Sequence, residues 1–261
     1  MYPELRFESW SLSTYFVIIS IDFCLMLFYL RHRARKHGFS VVPTLDLGIF
    51  VSLFGFLGAR LFHVLYEEPK FYTAHPLNIF KVWEGGYVFL GGIITGFLSG
   101  LVWLKLRHQP IKRYLDLFAP IMALGYALGR LACFFQGCCY GKQTDSIWGL
   151  HFDALIQAGE SIARHPTQLY AFGGELLLYF ILIYTEKKKK DLLPEGQLFI
   201  YWMIGHGINR MAMELFRDDP RGPLWLGMGI SFWIAIVLFI TGIGLSARGK
   251  INWALKRLKQ N

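Results

Sequence analysis

The chain has 261 residues, of which 54% are hydrophobic and only 17% charged, and its formal net charge is +9. Soluble domains carry about 25% charged residues, so this composition argues against them and predicts a single integral membrane domain over residues 1–261. The basic residues separate apolar runs, which indicates membrane topology and contact with anionic lipid rather than nucleic-acid binding. No basic region precedes the first apolar run, so we expect no removable signal peptide.

Seven apolar segments are each close to the length of about 20 residues that a membrane-spanning helix needs. They predict an all-α, polytopic membrane protein with about seven transmembrane helices. The fourth and sixth segments carry glycine and charge, so one of them could instead be a broken or re-entrant helix. In chain order the segments are Leu12–Leu30, Leu47–Tyr66, Gly86–Leu104, Tyr114–Phe135, Thr167–Thr185, Gly196–Glu214 and Leu224–Leu245.

Lysine and arginine are concentrated after every second segment, whereas the loops between hold only about two basic residues each. Cytoplasmic loops of membrane proteins carry an excess of these residues. The alternation therefore predicts an N-terminus outside and a C-terminus in the cytoplasm. The basic clusters are Arg31–Lys36, Lys105–Arg113, Lys187–Lys190 and the stretch from Arg248 to Lys259.

Four polar, motif-like stretches fall on the outer side in this topology. Each lies at the end or the beginning of an apolar segment, at the depth of the outer leaflet. They are far apart in the sequence, yet this common side predicts that they line one site. The stretches are Trp83–Gly86, Gly129–Lys142, Arg164–Tyr170 and Asn209–Gly222.

Three arginines and one glutamate lie within or at the ends of apolar segments: Arg60, Arg130, Arg210 and Glu214. A charge at the bilayer centre costs at least ~2.5–3.5 kcal/mol, so such residues usually face a polar cavity. Because the guanidinium fork matches phosphate oxygens, the arginines predict a bound phospholipid phosphate. Arg210 and Glu214 are four residues apart and could instead neutralise each other. Arg60 and Arg130 have no carboxylate at that spacing, which favours phosphate contact.

Two other stretches suggest a ligand site. Gly85 and Gly86 precede the third segment and would let a lipid headgroup approach the backbone. His165 lies in the loop just before the fifth segment and is followed by Gln168 and Tyr170. This histidine is either a proton shuttle or a structural hydrogen-bonding residue.

Three cysteines, Cys133, Cys138 and Cys139, follow the fourth segment or end it. They are either reactive thiols, whose pKa Arg130 and Lys142 would lower, or soft packing residues beside a turn. A zinc site is less favoured because no second ligand pair has suitable spacing. We therefore predict neither a metal nor a cofactor.

Five ordered stretches resemble the prolipoprotein diacylglyceryl transferase family, and the resemblance covers nearly the whole chain. It implies a multi-pass enzyme of the bacterial inner membrane that takes phosphatidylglycerol. The enzyme transfers the diacylglyceryl group to the lipobox cysteine of a preprolipoprotein, makes a thioether and releases glycerol phosphate. The stretches are Gly58–Glu67, His75–Gly86, Gly129–Arg130, His165–Tyr170 and Arg210–Arg217.

The resemblance implies roles for individual residues. Arg130 and Arg210 would hold the lipid phosphate or support catalysis. His165 is the candidate base, and Cys138 and Cys139 are further catalytic candidates. The expected partners of this monomer are phosphatidylglycerol, or another anionic phospholipid, and a lipobox segment. The candidate substrate-binding residues are Arg60, Gly85, Gly86, Gln136, Lys142, Gln168, Tyr170, Glu214 and Arg217.

The sequence departs from the family pattern mainly where the acceptor would react. Leu90 stands where the family has a critical histidine before a Gly-Gly pair. Cys133, Gln136 and Cys138 replace two asparagines and a glutamate of the family signature, and Ala171 replaces a glutamate.

These departures leave two questions open. The thiol proton could go to His165 or to a cysteine, or the thiol could ionise in the field of the arginines. The chain could be the transferase described, a related transferase with a different acceptor, or a phospholipid-binding or transport protein on the same scaffold.

Overall fold

The computed structural model describes residues 4–7, 10–82, 85–152, 162–188, 193–218 and 224–258. The chain forms two compact units, one of Met1–Phe28 with Leu115–Asn261 and the other of Tyr29–Tyr114, called here the outer-segment unit and the central unit after their place in the sequence. Both boundaries fall within continuous helices, and the prediction of one domain over the whole chain stays a prediction.

The described chain is mainly helical. Two short antiparallel hairpins accompany the helices, β1 (Glu4–Phe7) with β2 (Trp10–Ser13) and β3 (Leu224–Trp225) with β4 (Met228–Gly229). A π-helical turn follows α2 at His63–Glu67, and a 3-10 turn follows α3. The helices are α1 Thr14–Lys36, α2 Val41–Phe62, α3 Pro69–Ala74, α4 Phe89–Leu106, α5 Ile111–Gln136, α6 Thr167–Lys188, α7 Gln197–Phe216 and α8 Ile230–Leu258.

Each of the seven predicted segments coincides with one long helix. Within the described residues, five helices are long and apolar enough to cross a membrane: α1, α2 with its π-turn, α5, α6 and α8. They expose large apolar side chains such as Phe28, Leu53 and Val237, as helices surrounded by lipid do. The prediction of a polytopic membrane protein is therefore confirmed. The fourth and sixth segments form the continuous helices α5 and α7, so neither is broken.

Glycines bring α2 and α4 of the central unit into close contact. A Cβ atom on Gly92 would lie 3.0 Å from the carbonyl oxygen of Gly55. One on Gly96 would lie 3.2 Å from the carbonyl oxygen of Val51. Thr95 donates a hydrogen bond across the contact to the Phe54 carbonyl oxygen, at 2.9 Å. Small residues allow such an approach between membrane helices, so these glycines serve helix packing.

The outer-segment unit has its core among α5, α6 and α7, where Ala119 and Ala123 of α5 meet Leu182 of α6 and Trp202 of α7. The Asp116 carboxylate of α5 caps the N-terminus of α7. It accepts hydrogen bonds from the backbone N–H groups of Gly196, at 2.6 Å, and Phe199, at 3.0 Å. A carboxylate at this position satisfies otherwise unpaired donors and interacts favourably with the helix dipole.

We expect Asp116→Ala to lower the free energy of unfolding by about 1–2 kcal/mol, because two N–H groups at the start of α7 lose their acceptor. Reversible unfolding of the detergent-solubilised protein measures this change. Asp46→Ala is the matched control, since Asp46 is exposed and has no hydrogen bond among the described residues. Equal effects of the two substitutions would contradict the capping role.

Candidate functional site

A small cavity in the outer-segment unit contains three of the predicted arginines. Its volume is about 10 Å³, roughly the space of one water molecule. The structure thus brings together residues from α5, α6, α7 and the chain after α5, as expected from their common predicted side. The lining residues are Tyr126, Arg130, Cys139, Thr167, Gln168, Ala171, Arg210, Met213 and Arg217.

Arg130 is held by an aromatic side chain. Its Nη2 donates a hydrogen bond to the Tyr126 hydroxyl, one helical turn earlier on α5. The guanidinium carbon lies 4.6 Å from the centre of the same ring, a cation–π distance. No carboxylate among the described residues forms an ion pair with Arg130. A phenol hydroxyl is a weak acceptor for a guanidinium group, so an anion would compete with it.

Arg210 is held by a carboxylate. Its Nη2 lies 3.0 Å from Oε2 of Glu214, and the two residues are 7% and 3% exposed. The other oxygen of Glu214 accepts the backbone N–H of Gly229 at 2.9 Å, and Arg210 also donates to the Ser231 hydroxyl. The ion pair that the spacing suggested is therefore present. Glu214 is not among the lining residues, and it links Arg210 to hairpin β3–β4, while Ser231 links Arg210 to the start of α8.

The chain reverses tightly after α5. Gly137 has a φ of 75°, and Cys139 has a φ of 64°, which is uncommon for a residue with a side chain. Two side chains at the start of α6 hold this turn. Thr167 Oγ1 donates to the Cys139 carbonyl oxygen and Gln168 Nε2 donates to the Cys138 carbonyl oxygen, both at 2.5 Å. Such conformations persist only where the surroundings fix them, and they concentrate at functional sites.

The turn gathers three thiols. The sulfur atoms of Cys133, Cys138 and Cys139 lie within 4.8 Å of one another. Hydrogen bonds from the other two thiols, and then the positive charges of Arg217 and Arg130, hold the pKa of the Cys139 thiol well below its usual value. The sequence had suggested Lys142 as a neighbouring charge, but that side chain is exposed.

The chain is similar in sequence to known proteins. The sequence profile described as "Prolipoprotein diacylglyceryl transferase" matches residues 4–248. The chain belongs to this family. The phosphatidylglycerol–prolipoprotein diacylglyceryl transferase of Cupriavidus necator is 37% identical over 228 residues, which cover 87% of this chain and 80% of the relative. The protein of the same name from Polynucleobacter asymbioticus is 34% identical over 257 residues, or 95% of both chains. The sequence-based predictions of this family and of a transferase are confirmed.

At the start of α6, in the stretch that resembles the family, His165 contacts two aromatic residues. His165 Nδ1 lies 3.1 Å from the Tyr170 hydroxyl, and its ring packs edge-on against Phe216 at 5.4 Å. Its backbone N–H donates to the Lys142 carbonyl oxygen at 3.0 Å. His165, Tyr170 and Lys142 are not among the residues that line the cavity. Gln136 is also outside the lining and accepts a hydrogen bond from Ser13 at 3.4 Å. The roles predicted for these residues in catalysis or substrate binding stay predictions.

Arg60 in the central unit differs from the sequence-based expectation. Arg60 is 6% exposed, and backbone carbonyl oxygens surround its guanidinium group. Carbonyl dipoles therefore satisfy the guanidinium group in this structure, and the predicted phosphate contact of Arg60 stays a prediction. The acceptors are the carbonyl oxygens of Asn78 (2.8 Å), Ile79 (3.3 Å), Lys81 (3.3 Å), Gly86 (3.2 Å) and Gly85.

Gly85 and Gly86 shape the loop that Arg60 holds. Both have positive φ, 85° and 78°. A Cβ atom on Gly86 would lie 2.8 Å from Nη1 of Arg60 and would overlap the ring of His63. The absence of a side chain at Gly86 thus allows its close approach to Arg60 and His63, and the predicted approach of a lipid headgroup to the two glycines stays a prediction. Trp83 and Glu84 of the same stretch lie outside the described residues.

A buried polar cluster behind the cavity was not predicted. Glu175 is fully buried, and its Oε1 accepts hydrogen bonds from His206 at 2.7 Å and Asn209 at 3.0 Å. The His206 ring stacks on Trp202 and packs edge-on against Tyr126, the partner of Arg130. A signal existed in the sequence, because His206 and Asn209 lie one turn apart in an apolar segment. Glu175 is on another helix, so only the fold pairs them.

We expect Arg60→Lys to loosen the segment from Pro76 to Gly86, because one ammonium group cannot bind carbonyls on several sides as the guanidinium fork does. Limited trypsin digestion in detergent should cleave after Lys81 several-fold faster than in the unchanged protein, a change of about 1 kcal/mol in the opening equilibrium. Arg107→Lys is the control, because Arg107 is exposed and its guanidinium group packs on the ring of Trp103. An unchanged cleavage rate after Lys81 would show that Arg60 does not hold the loop.

Proposed function

We propose that this chain transfers the diacylglyceryl group of phosphatidylglycerol to the thiol of a lipobox cysteine in a prolipoprotein. The reaction makes a thioether and releases glycerol phosphate. Membership of the family over residues 4–248 supports this function, as do relatives named for these two substrates. The observation that carries it is the cavity where Arg130, Arg210 and Arg217 converge.

In the proposed topology α4 and α7 also cross the bacterial inner membrane, which gives seven spans with the N-terminus outside. Basic residues in the last turns of α1, α4 and α6 support it, because these three ends then share the cytoplasmic side. Helix α7 is less apolar than the five spans because it carries the polar site residues His206, Asn209, Arg210 and Glu214. The protein acts as a monomer in this proposal.

Arg130 and Arg210 hold the lipid phosphate. Their hydrogen bonds to the hydroxyls of Tyr126 and Ser231 are exchanged for bonds to phosphate oxygens, which are stronger because both partners are charged. The cavity widens as this exchange occurs, since about 10 Å³ does not admit a phosphodiester. Glu214 keeps Arg210 in place without contacting the lipid.

The chemical step displaces a phosphate ester. The acceptor sulfur, as thiolate, attacks the glyceryl carbon that bears the phosphate and forms the carbon–sulfur bond. The carbon–oxygen bond breaks, and glycerol phosphate leaves with the electron pair as a dianion. Guanidinium groups already aimed at the phosphate stabilise this second negative charge as it develops, which lowers the barrier.

Gln168 is suited to recognise the headgroup. It lines the cavity and is 1% exposed, and its Oε1 has no hydrogen-bond partner among the described residues. A buried acceptor without a partner costs about 1–3 kcal/mol. A hydroxyl of the glycerol headgroup would supply the missing donor. This contact would favour phosphatidylglycerol over phospholipids whose headgroup has no hydroxyl.

We expect Arg130→Lys and Arg210→Lys each to lower kcat by about 10²–10³-fold, because a lysine does not replace the fork of donors at the developing charge. Conversion of a lipobox peptide in phosphatidylglycerol micelles, followed by mass, measures the rate. Arg107→Lys is again the control. If the unchanged protein forms no product where the Cupriavidus necator relative does, the acceptor is not a lipobox cysteine.

We expect Gln168→Leu to lower the preference for phosphatidylglycerol over phosphatidylcholine, whose headgroup has no hydrogen-bond donor, by about tenfold in kcat/KM, the effect of one hydrogen bond to the headgroup. Thr167→Val is the matched control, because it loosens the same turn but leaves the Gln168 amide in place. If both variants lose the same selectivity, the turn and not the amide sets the preference.

A related transferase with a different acceptor is the second candidate. Leu90 and Ala171 support it, because they replace the histidine and the glutamate expected of the family on the acceptor side. Glycerol phosphate release with a peptide whose lipobox cysteine is serine separates the two functions. Release at an undiminished rate would favour the different acceptor.

A further inference from the structure

The cluster of Cys133, Cys138 and Cys139 has the dimensions of a metal site. Its sulfur atoms lie within 4.8 Å of one another, and zinc–sulfur bonds of about 2.3 Å in a tetrahedron place sulfurs about 3.8 Å apart. A contraction of about 1 Å or less, within side-chain rotation, therefore closes the site. The spacing in the sequence had argued against zinc because no second ligand pair was visible, but the reversed turn supplies three sulfurs without one.

The turn is built to present these side chains. Cys139 adopts a left-handed φ of 64°, and its carbonyl and that of Cys138 are bound by the buried side chains of Thr167 and Gln168. Packing alone gives no reason to hold a residue with a side chain in this conformation. Fixing the turn from α6 means that little further ordering is needed when a metal binds.

The local charge fits a cluster of thiolates. Three thiolates and one Zn²⁺ carry a net charge of −1. Arg130 and Arg217 line the same cavity as Cys139 and offset that charge. The neighbourhood therefore favours a metal held by thiolates, which are the soft ligands that zinc prefers.

We propose that Cys133, Cys138 and Cys139 bind a zinc ion whose fourth position takes the sulfur of the acceptor cysteine. Three protein ligands and one open position are the usual arrangement of catalytic zinc. Since Cys139 lines the arginine cavity, the bound sulfur lies at the edge of the site that holds the phosphate. This inference rests on the proposed function.

The metal takes over the deprotonation of the acceptor thiol, for which the histidine expected of the family is replaced by Leu90. A thiol that coordinates zinc loses its proton, and here the proton leaves with water. The resulting thiolate attacks the glyceryl carbon, the carbon–oxygen bond breaks, and glycerol phosphate departs as the dianion. The thioether product is neutral and a weaker ligand, so it leaves the metal, and water or the next thiol takes its place. Neither Leu90 nor His165, which is bound to Tyr170, is needed for this proton transfer.

Metal content tests the ligands directly. The full-length, reduced protein in detergent is loaded with Zn²⁺ and washed with a weak chelator. We expect about one zinc per chain in the unchanged protein and in Cys24→Ser, the control outside the cluster, and at least a tenfold lower content in Cys133→Ser and Cys138→Ser. No retained zinc in the unchanged protein, or equal retention in all four proteins, would overturn the proposal.

A second measurement needs no substituted protein, in case the serine variants do not fold. Zn²⁺ should slow maleimide modification of Cys133, Cys138 and Cys139 at least tenfold, and leave that of Cys24 unchanged, as read by peptide mass. Uniform modification with and without Zn²⁺ would count against the site.

The fourth position is tested with cobalt in place of zinc. Thiolate-to-cobalt absorption bands should grow when a lipobox peptide with its cysteine is added, and stay constant with the serine peptide. Identical spectra with both peptides would overturn the role in binding the acceptor. If zinc binds but no diacylglyceryl peptide forms, the proposed function fails and the metal site stands. If metal-stripped protein transfers the group at an undiminished rate, the metal inference fails and the proposed function stands.

Discussion

The structure depends on which hydrogen-bond partners the buried guanidinium groups have where water is scarce. Arg60 is surrounded by backbone carbonyls, and Arg210 by a carboxylate and a hydroxyl. Arg130 has a phenol hydroxyl and the face of its ring. These surroundings differ in strength, and only the weaker ones leave room for a ligand to compete. The same residue type therefore organises a loop in one unit and lines the proposed anion site in the other.

The sequence predicts the helices well because lipid imposes a simple rule, long apolar segments with hydrogen bonds satisfied internally. The sequence also predicts that Arg130 and Arg210 lie near each other, because the alternation of basic loops places both residues on the same predicted side of the membrane. The loop around Arg60 could not be predicted from the sequence. No sequence pattern shows that the carbonyl groups of two glycines with positive φ will point towards a guanidinium group. The left-handed conformation of Cys139 could not be predicted either, because it depends on a hydrogen bond from a side chain of α6.

Polar residues in the apolar segments divide into two layers. The arginines line the cavity, and the cluster of Glu175, His206 and Asn209 lies behind them, joined through the ring of Tyr126. A buried carboxylate that binds two donors fixes α6 against α7 and so fixes the angle from which Arg210 enters the cavity. Stability and site geometry are thus maintained by the same hydrogen bonds.

The small volume of the cavity affects whether water or the acceptor thiol attacks the lipid. Water attacks phosphate esters and their carbon centres as a thiol does, and it is far more abundant at the membrane surface. The space holds roughly one water molecule without lipid, and if it widens only enough to fit the proposed phosphodiester, little room for water remains. Hydrolysis of the donor is then disfavoured by exclusion, and the diacylglyceryl group is kept for an acceptor that brings its own sulfur to the site.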